Sequence, residues 1–306
     1  MGLNLRKAVI SNMVVTTVVV FAAGAAAGAL SGLLRPDPVM LAVPLGLALC
    51  VGLCAALYKL HRLKARTLAT ITRQYAWFEL AHGSKVGGHQ VDWKTLDDFA
   101  ITLKLRGCEP LGWYTPNPLP KGATWVSACF INALKTTLIE VQRIQTLPGA
   151  TSGAIGGVRF TVFSVIGGTI RTVTTDQKVT PTSFLLRYPT DVFASYPGLP
   201  LPRLIDKHEA LVKALCERAD KYPSAGLTVA RYVLLQRERL AQTRARVAGM
   251  SGFKIAGIID AFESNPQSKW APPSEVLPKL PERLFSQLDA SAAAKGGPLI
   301  VALPDA

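Results

Sequence analysis

The chain has 306 residues, is 49% hydrophobic, and combines a formal charge of +14 with a mean hydropathy of +0.26. So apolar an average beside so high a charge argues against one uniform soluble domain and for two unlike parts. Five cysteines without a CxxC spacing argue against a disulfide framework and against a zinc site.

Ala8 to Leu34 carries no charged side chain, and neither does Val39 to Leu57. A helix needs about 20 apolar residues to cross a bilayer, so both segments qualify. Arg35, Pro36, Asp37 and Pro38 separate them, and proline breaks a helix. The expectation for residues 1–58 is a transmembrane hairpin with helices over about 8–34 and 39–58. A cleaved signal peptide is the rival, because Arg6 and Lys7 precede the apolar run and "AAGAAAG" offers small residues. The apolar length exceeds that of a typical signal peptide. "MGLNLR" lacks the Ser or Thr that N-myristoylation requires.

Gly24, Gly28 and Gly32 recur at every fourth position and so share a helix face. Helices in lipid gain from close backbone approach, which a glycine stripe permits. The expected partner is the second helix, through Gly46 and Gly52, or another copy of the chain. Basic residues flank both outer ends of the hairpin while the turn is neutral, which places both termini in the cytoplasm. The expected location is therefore an integral membrane protein with two spans, of bacterial inner-membrane type.

"KLHRLKARTLATITRQYAWFEL" reads as a continuation of the second helix. Leu60, Leu63, Leu68, Ile71, Tyr75 and Phe78 fall on one face, with Arg62, Arg66 and Arg73 nearly opposite. Residues 59–90 are thus expected to form a basic amphipathic juxtamembrane helix and a glycine-rich hinge. Lys59, Arg62, Lys64, Arg66 and Arg73 are its expected contacts with anionic lipid headgroups. In the hinge "HGSKVGGH", His82 and His89 with nearby Asp92 lack defined metal-ligand geometry, so no metal is expected.

Residues 91–264 read as a cytoplasmic α+β domain. Asp92 to Arg106 predicts a helix burying Leu96, Phe99 and Leu103, with Gly107 as its C-cap. "LGWYTP", "ATWVSACFIN", "TTLIEVQRI", "VRFTVFSVI" and "TIRTVTTDQ" follow as short segments rich in β-branched and aromatic residues, and "SFLLRYP" is a candidate sixth. Gly167 and Gly168 suit a two-residue hairpin turn. Consecutive strands without intervening helices predict an antiparallel meander of about five or six strands. "GATSGAIGG" matches no phosphate-loop pattern and reads as a hairpin loop. In "TIRTVTT", Ile170, Thr172 and Thr174 share one strand face, which reads as an exposed threonine surface. Three helical stretches follow, and residues 265–306 form a Pro/Ala-rich tail read as extended or disordered.

The fold class is α+β: an N-terminal two-helix transmembrane hairpin, then a soluble domain with an antiparallel meander and flanking helices. His208, on the apolar side of its helix among Leu204, Leu211 and Leu215, is the candidate general base, with Glu140 or Asp176 as its carboxylate. Cys108, Cys129 and Cys216 read as small packed residues rather than nucleophiles. Arg231, Arg237, Arg239, Arg244 and Arg246 spread around their helix with few aromatic neighbours, which argues against nucleic acid. No cofactor is expected. The favoured function is a membrane-anchored interaction, scaffold or accessory subunit, with a lipid bilayer, a membrane protein or a second copy as partner. A membrane-tethered enzyme and an oligomeric transporter or channel component are the alternatives. Two helices without internal charge make a poor ion path alone.

Overall fold

The computed structural model describes residues 13–24, 38–71, 76–117, 119, 122–149, 156–178 and 191–263. The chain is a mixed α+β protein with a seven-stranded, mostly antiparallel sheet. It forms two compact units. One combines Met1–Ile71 with Arg244–Pro266, and the other comprises Thr72–Thr243 and Gln267–Ala306.

The first unit is helical. Helix α1 spans Met13–Gly24. Helix α2 spans Pro38–Thr70 without a break, and its stretch Gly46–Ala69 is long and apolar enough to cross a membrane. Leu47, Leu49, Leu53, Leu57 and Tyr58 on α2 are exposed, which gives that helix an outward apolar surface. Among the described residues no second helix reaches spanning length; α1 is a shorter apolar helix. The Arg35–Asp37 turn and most of the first expected span, with Gly28 and Gly32, lie outside the described residues. Gly24, the last described residue of α1, is exposed. Close approach is visible instead at Gly52 of α2. A Cβ there would collide with the Thr17 hydroxyl and lie 3.2 Å from the Met13 carbonyl oxygen.

The expected basic helix through Phe78 is corrected. Helix α2 ends at Thr70, and Ala76–Leu80 is strand β1. The reason is local. Trp77 and Phe78 favour extended backbone, and β1 pairs with a later strand from Ala76↔Asn117 to Leu80↔Trp113. At the end of α2, Arg244 donates from Nη1 to the carbonyl oxygens of Leu68 (3.0 Å) and Ile71 (3.2 Å), and the Leu68 oxygen also accepts from the Ile71 amide at 3.3 Å.

In the second unit, helix α3 spans Trp93–Leu105. Its N-cap Asp92 accepts from the Thr95 amide at 3.2 Å and forms a 3.0 Å ion pair with Arg143. Arg106 follows, and Gly107, with φ of 75°, turns the chain. Strands β2 Glu109–Asn117, β3 Ala123–Ile131, β4 Thr137–Thr146, β5 Gly157–Ile166, β6 Ile170–Thr175 and β7 Asp191–Ser195 complete the sheet, in the spatial order β1 to β7. All neighbours run antiparallel except β6 and β7, which are parallel. Sequence patterning missed β1 and β7; "SFLLRYP" lies outside the described residues. The β5–β6 loop holds three residues between the Ile166↔Ile170 pair, not two, with Gly167 and Gly168 both at positive φ.

Helix α4 spans Leu201–Ala219, α5 Val229–Ala248 and α6 Gly252–Glu263. Helices α3 and α4 cover one sheet face, through contacts such as Phe99 on Phe160 at 5.1 Å. Leu227, Val229 and Tyr232 cover the other, packing on Cys129, Ile131, Leu138, Phe163 and Val173. Strand β6 is therefore buried along its whole length, which corrects the exposed threonine surface expected for it.

In the helical unit the ends of α5 and α6 run back along α2. Arg244 meets Leu68, Lys64 donates to the Ala248 carbonyl oxygen at 2.6 Å, and Gly252 lies against Leu60. A Cβ at Gly252 would strike the Leu60 carbonyl oxygen. Gly252→Ala is therefore expected to cost about 1–3 kcal/mol through backbone displacement. Gly249→Ala, where a Cβ meets only ordinary contacts, should cost less. Thermal unfolding of the detergent-solubilised full chain checks the difference.

Candidate functional site

His208 is fully buried in α4. The apolar stripe of Leu204, Leu211 and Leu215 turns this face of the helix onto the sheet. Its Nδ1 lies 2.8 Å from Thr174 Oγ1 and its Nε2 lies 3.0 Å from Ser164 Oγ. Ser164 Oγ is in turn 3.0 Å from Thr137 Oγ1. A neutral imidazole donates from one nitrogen and accepts at the other, and rotating hydroxyls satisfy both. Burial pushes the imidazole pKa down to about 3, so the ring is neutral at ordinary pH. Thr172 faces Ser164 across the β5–β6 pair, and its buried Oγ1 has no hydrogen-bond partner among the described residues.

Glu140 lies on the opposite face. On β4 it is three residues from Thr137, and side chains alternate along a strand. Its Oε1 accepts from Ser127 Oγ at 2.7 Å and Gln142 Nε2 at 2.8 Å, and its Oε2 from the Tyr232 hydroxyl at 2.9 Å. The Trp125 indole extends the cluster by donating to Ser127 Oγ at 3.0 Å. Burial raises the Glu140 pKa, against the pull of these three donors. Asp176, just past β6, accepts the Phe160 amide at 2.8 Å, and burial raises its pKa also.

The structure thus brings neither carboxylate to His208. The imidazole is held by hydroxyls, Glu140 by a hydroxyl–amide cage behind the sheet, and Asp176 by backbone. His208 and Glu140 are enclosed while Asp176 is partly exposed, and a general base needs a substrate proton within hydrogen-bond reach. Cys129 is fully buried beside Glu140, and burial with that carboxylate's charge raises its thiol pKa well above the ordinary value. Burial raises the Cys108 and Cys216 thiols too. Thiolate character is what makes a cysteine nucleophilic, and all three shift away from it.

Of the expected membrane-surface cations, Lys59, Arg62 and Arg66 are exposed on α2, Lys64 bonds to the end of α5, and Arg73 lies outside the described residues. His82 pairs with Asp97 at 2.9 Å and stacks against Trp93 and Trp113. Among the described residues no three His, Cys, Asp or Glu side chains are grouped to hold a metal.

Sequence reasoning missed the partners rather than the residues. Strand alternation puts Glu140 in phase with Gln142 and opposite Ile139 and Val141, so nothing in the pattern marks it as buried. No local signal pairs it with Tyr232, 92 residues away. Comparison of the chain with known protein families, with curated proteins and with solved structures finds no match.

The two buried groups give opposite pH dependences. Between about pH 3 and 6.5 an unfolded His208 takes a proton that the folded ring refuses. Its contribution to stability is therefore present above 6.5 and lost as pH falls. An unfolded Glu140 ionises near 4.5 and the folded one only at higher pH, so its contribution is lost as pH rises. Denaturant midpoints of the full chain in detergent are expected to fall more steeply from pH 7 to 5 in Glu140→Gln than in the native chain. In His208→Gln they should fall less steeply.

Proposed function

We propose that the chain is a membrane-anchored interaction or accessory subunit whose cytoplasmic sheet domain binds protein rather than transforming a substrate. The observation that carries this reading is the internal satisfaction of the sheet's titratable groups: His208 and Glu140 are sealed on opposite faces by fixed partners. A catalytic pair would share a cleft, so the enzyme alternative with Glu140 or Asp176 is the weaker one.

The anchor is α2 together with α1, as a hairpin in an inner membrane of bacterial type with both termini cytoplasmic. Thr17 and Gly52, which meet, lie on either side of the Arg35–Pro38 turn, 18 residues before Arg35 and 14 after Pro38, as the two arms of a hairpin would. The exposed cations Lys59, Arg62 and Arg66 suit anionic lipid headgroups at its cytoplasmic end.

The docking element is β1. It is one of the two edges of the sheet among the described residues, and Phe78 on it is 54% exposed. Edge strands offer backbone N–H and C=O groups to a strand of another chain, which is either a membrane protein or a second copy. Purification from native membranes in mild detergent is expected to retain such a partner at fixed stoichiometry. Phe78→Lys, a charge placed on the edge, should lose the partner while its melting temperature stays within a few degrees of the native value. A native chain that migrates alone as a monomer overturns the reading.

A further inference from the structure

We infer that α6 is a membrane-contacting element, an interfacial helix whose outer face lies against the lipid headgroup and upper acyl layer. This rests on the reading of α2 as a membrane span and adds to it a surface that no test of apolar length identifies, since α6 has 12 residues.

The position of α6 along α2 carries the argument. Contacts step down α2 in order: Arg244 to Ile71 and Leu68, Ala248 to Lys64, and Gly252 to Leu60. At about 1.5 Å per residue, the eight residues from Leu68 to Leu60 cover roughly 12 Å toward the apolar end of the helix. Leu60 is flanked by the features that mark a membrane boundary. Exposed Tyr58 and Lys59 precede it, and Leu57, Leu53 and Leu49, all exposed, continue into the uncharged stretch. The backbone contact at Gly252 therefore holds the start of α6 at the boundary level.

The surface of α6 suits that depth. Ile255, Ala256 and Asp260 are buried in the helical unit, so the carboxyl of Asp260 is withdrawn from lipid. Phe253 is 49% exposed, Lys254 is exposed, and Gly257, Ile258 and Ile259 are partly exposed. Lys254 and Ile258 are one turn apart on the outer face. A lysine there lays its four-carbon stem along apolar surface and carries its ammonium out to the phosphates. Cations on α2 at the same level, Lys59 and Arg62, complement the same anionic layer. The surface is continuous with the span and matches it in charge, which is why the occupant is lipid and not a protein.

The test places a photoreactive phenylalanine analogue at position 253, 53 or 105 of the full chain, reconstituted in vesicles of mixed neutral and anionic phospholipid. Leu53 is an exposed residue of the span and Leu105 an exposed residue of the sheet unit. Illumination is expected to give lipid adducts at 253 and 53, with at least a fivefold lower yield at 105. Adducts at 53 without adducts at 253, or adducts at 253 to protein, overturn the inference while the span stands. Equal lipid yield at 105 and 253 also overturns it. Absence of lipid adducts at 53 overturns the span itself, and the inference with it.

Discussion

Strands β3 to β6 are covered on both faces, and that enclosure constrains most of the sheet unit. A strand with one wet face can put polar side chains there at no cost. Here Ser127, Glu140, Ser164 and Thr174 are all buried at or near full extent. Burying a polar group without a partner costs about 1–3 kcal/mol, and a charge costs far more. The fold answers with two hydrogen-bonded clusters, one per face. Each ties strands to a helix: His208 fixes α4 to β5 and β6, and Tyr232 fixes α5 to β4. The polar bonds supply direction where apolar contacts such as Phe163 on Tyr232 supply area.

The enclosure also explains what was legible in the sequence. Long β-branched segments such as "ATWVSACFIN" and "VRFTVFSVI" announce strands by composition. Their faces are harder to read, because a strand buried twice has no apolar–polar alternation to follow. "TIRTVTT" looks like a wet face for that reason, since threonine is equally at home bonded to a buried imidazole. Short elements were lost to their neighbours. "AWFEL" continues the helical spacing of Leu68 and Ile71, and only pairing with β2 makes it a strand. "DVFAS" follows a segment with a stronger strand signal, and its parallel partner β6 is not adjacent in the chain's local pattern.

For the candidate site, residue types were readable and geometry was not. His208 was recognisable as inward-facing from its leucine neighbours. That it meets hydroxyls and not a carboxylate depends on strand register, which a shift of one residue would reverse. The glycines show the same limit. Four-residue spacing identifies a face that permits close approach, but approach needs a partner. The visible ones are Gly52, against Met13 and Thr17, and Gly252, against Leu60. Neither belongs to the regular stripe, and Gly252 opens a helix of its own.

The helical unit is assembled from two distant stretches of chain, with the sheet unit inserted between Ile71 and Arg244. During translation α2 emerges early, while its mates at Arg244, Ala248 and Gly252 emerge about 175–190 residues later. At roughly 5–20 residues per second, that delay is on the order of 10–30 seconds. Through that interval the carbonyls of Leu68 and Ile71 and the flank of Leu60 have no α5 or α6 to meet. The nascent chain therefore passes through a stage in which α2 has emerged and the sheet is folding, but the helical unit is half built. Stop codons that truncate the chain before Arg244 would trap that stage permanently.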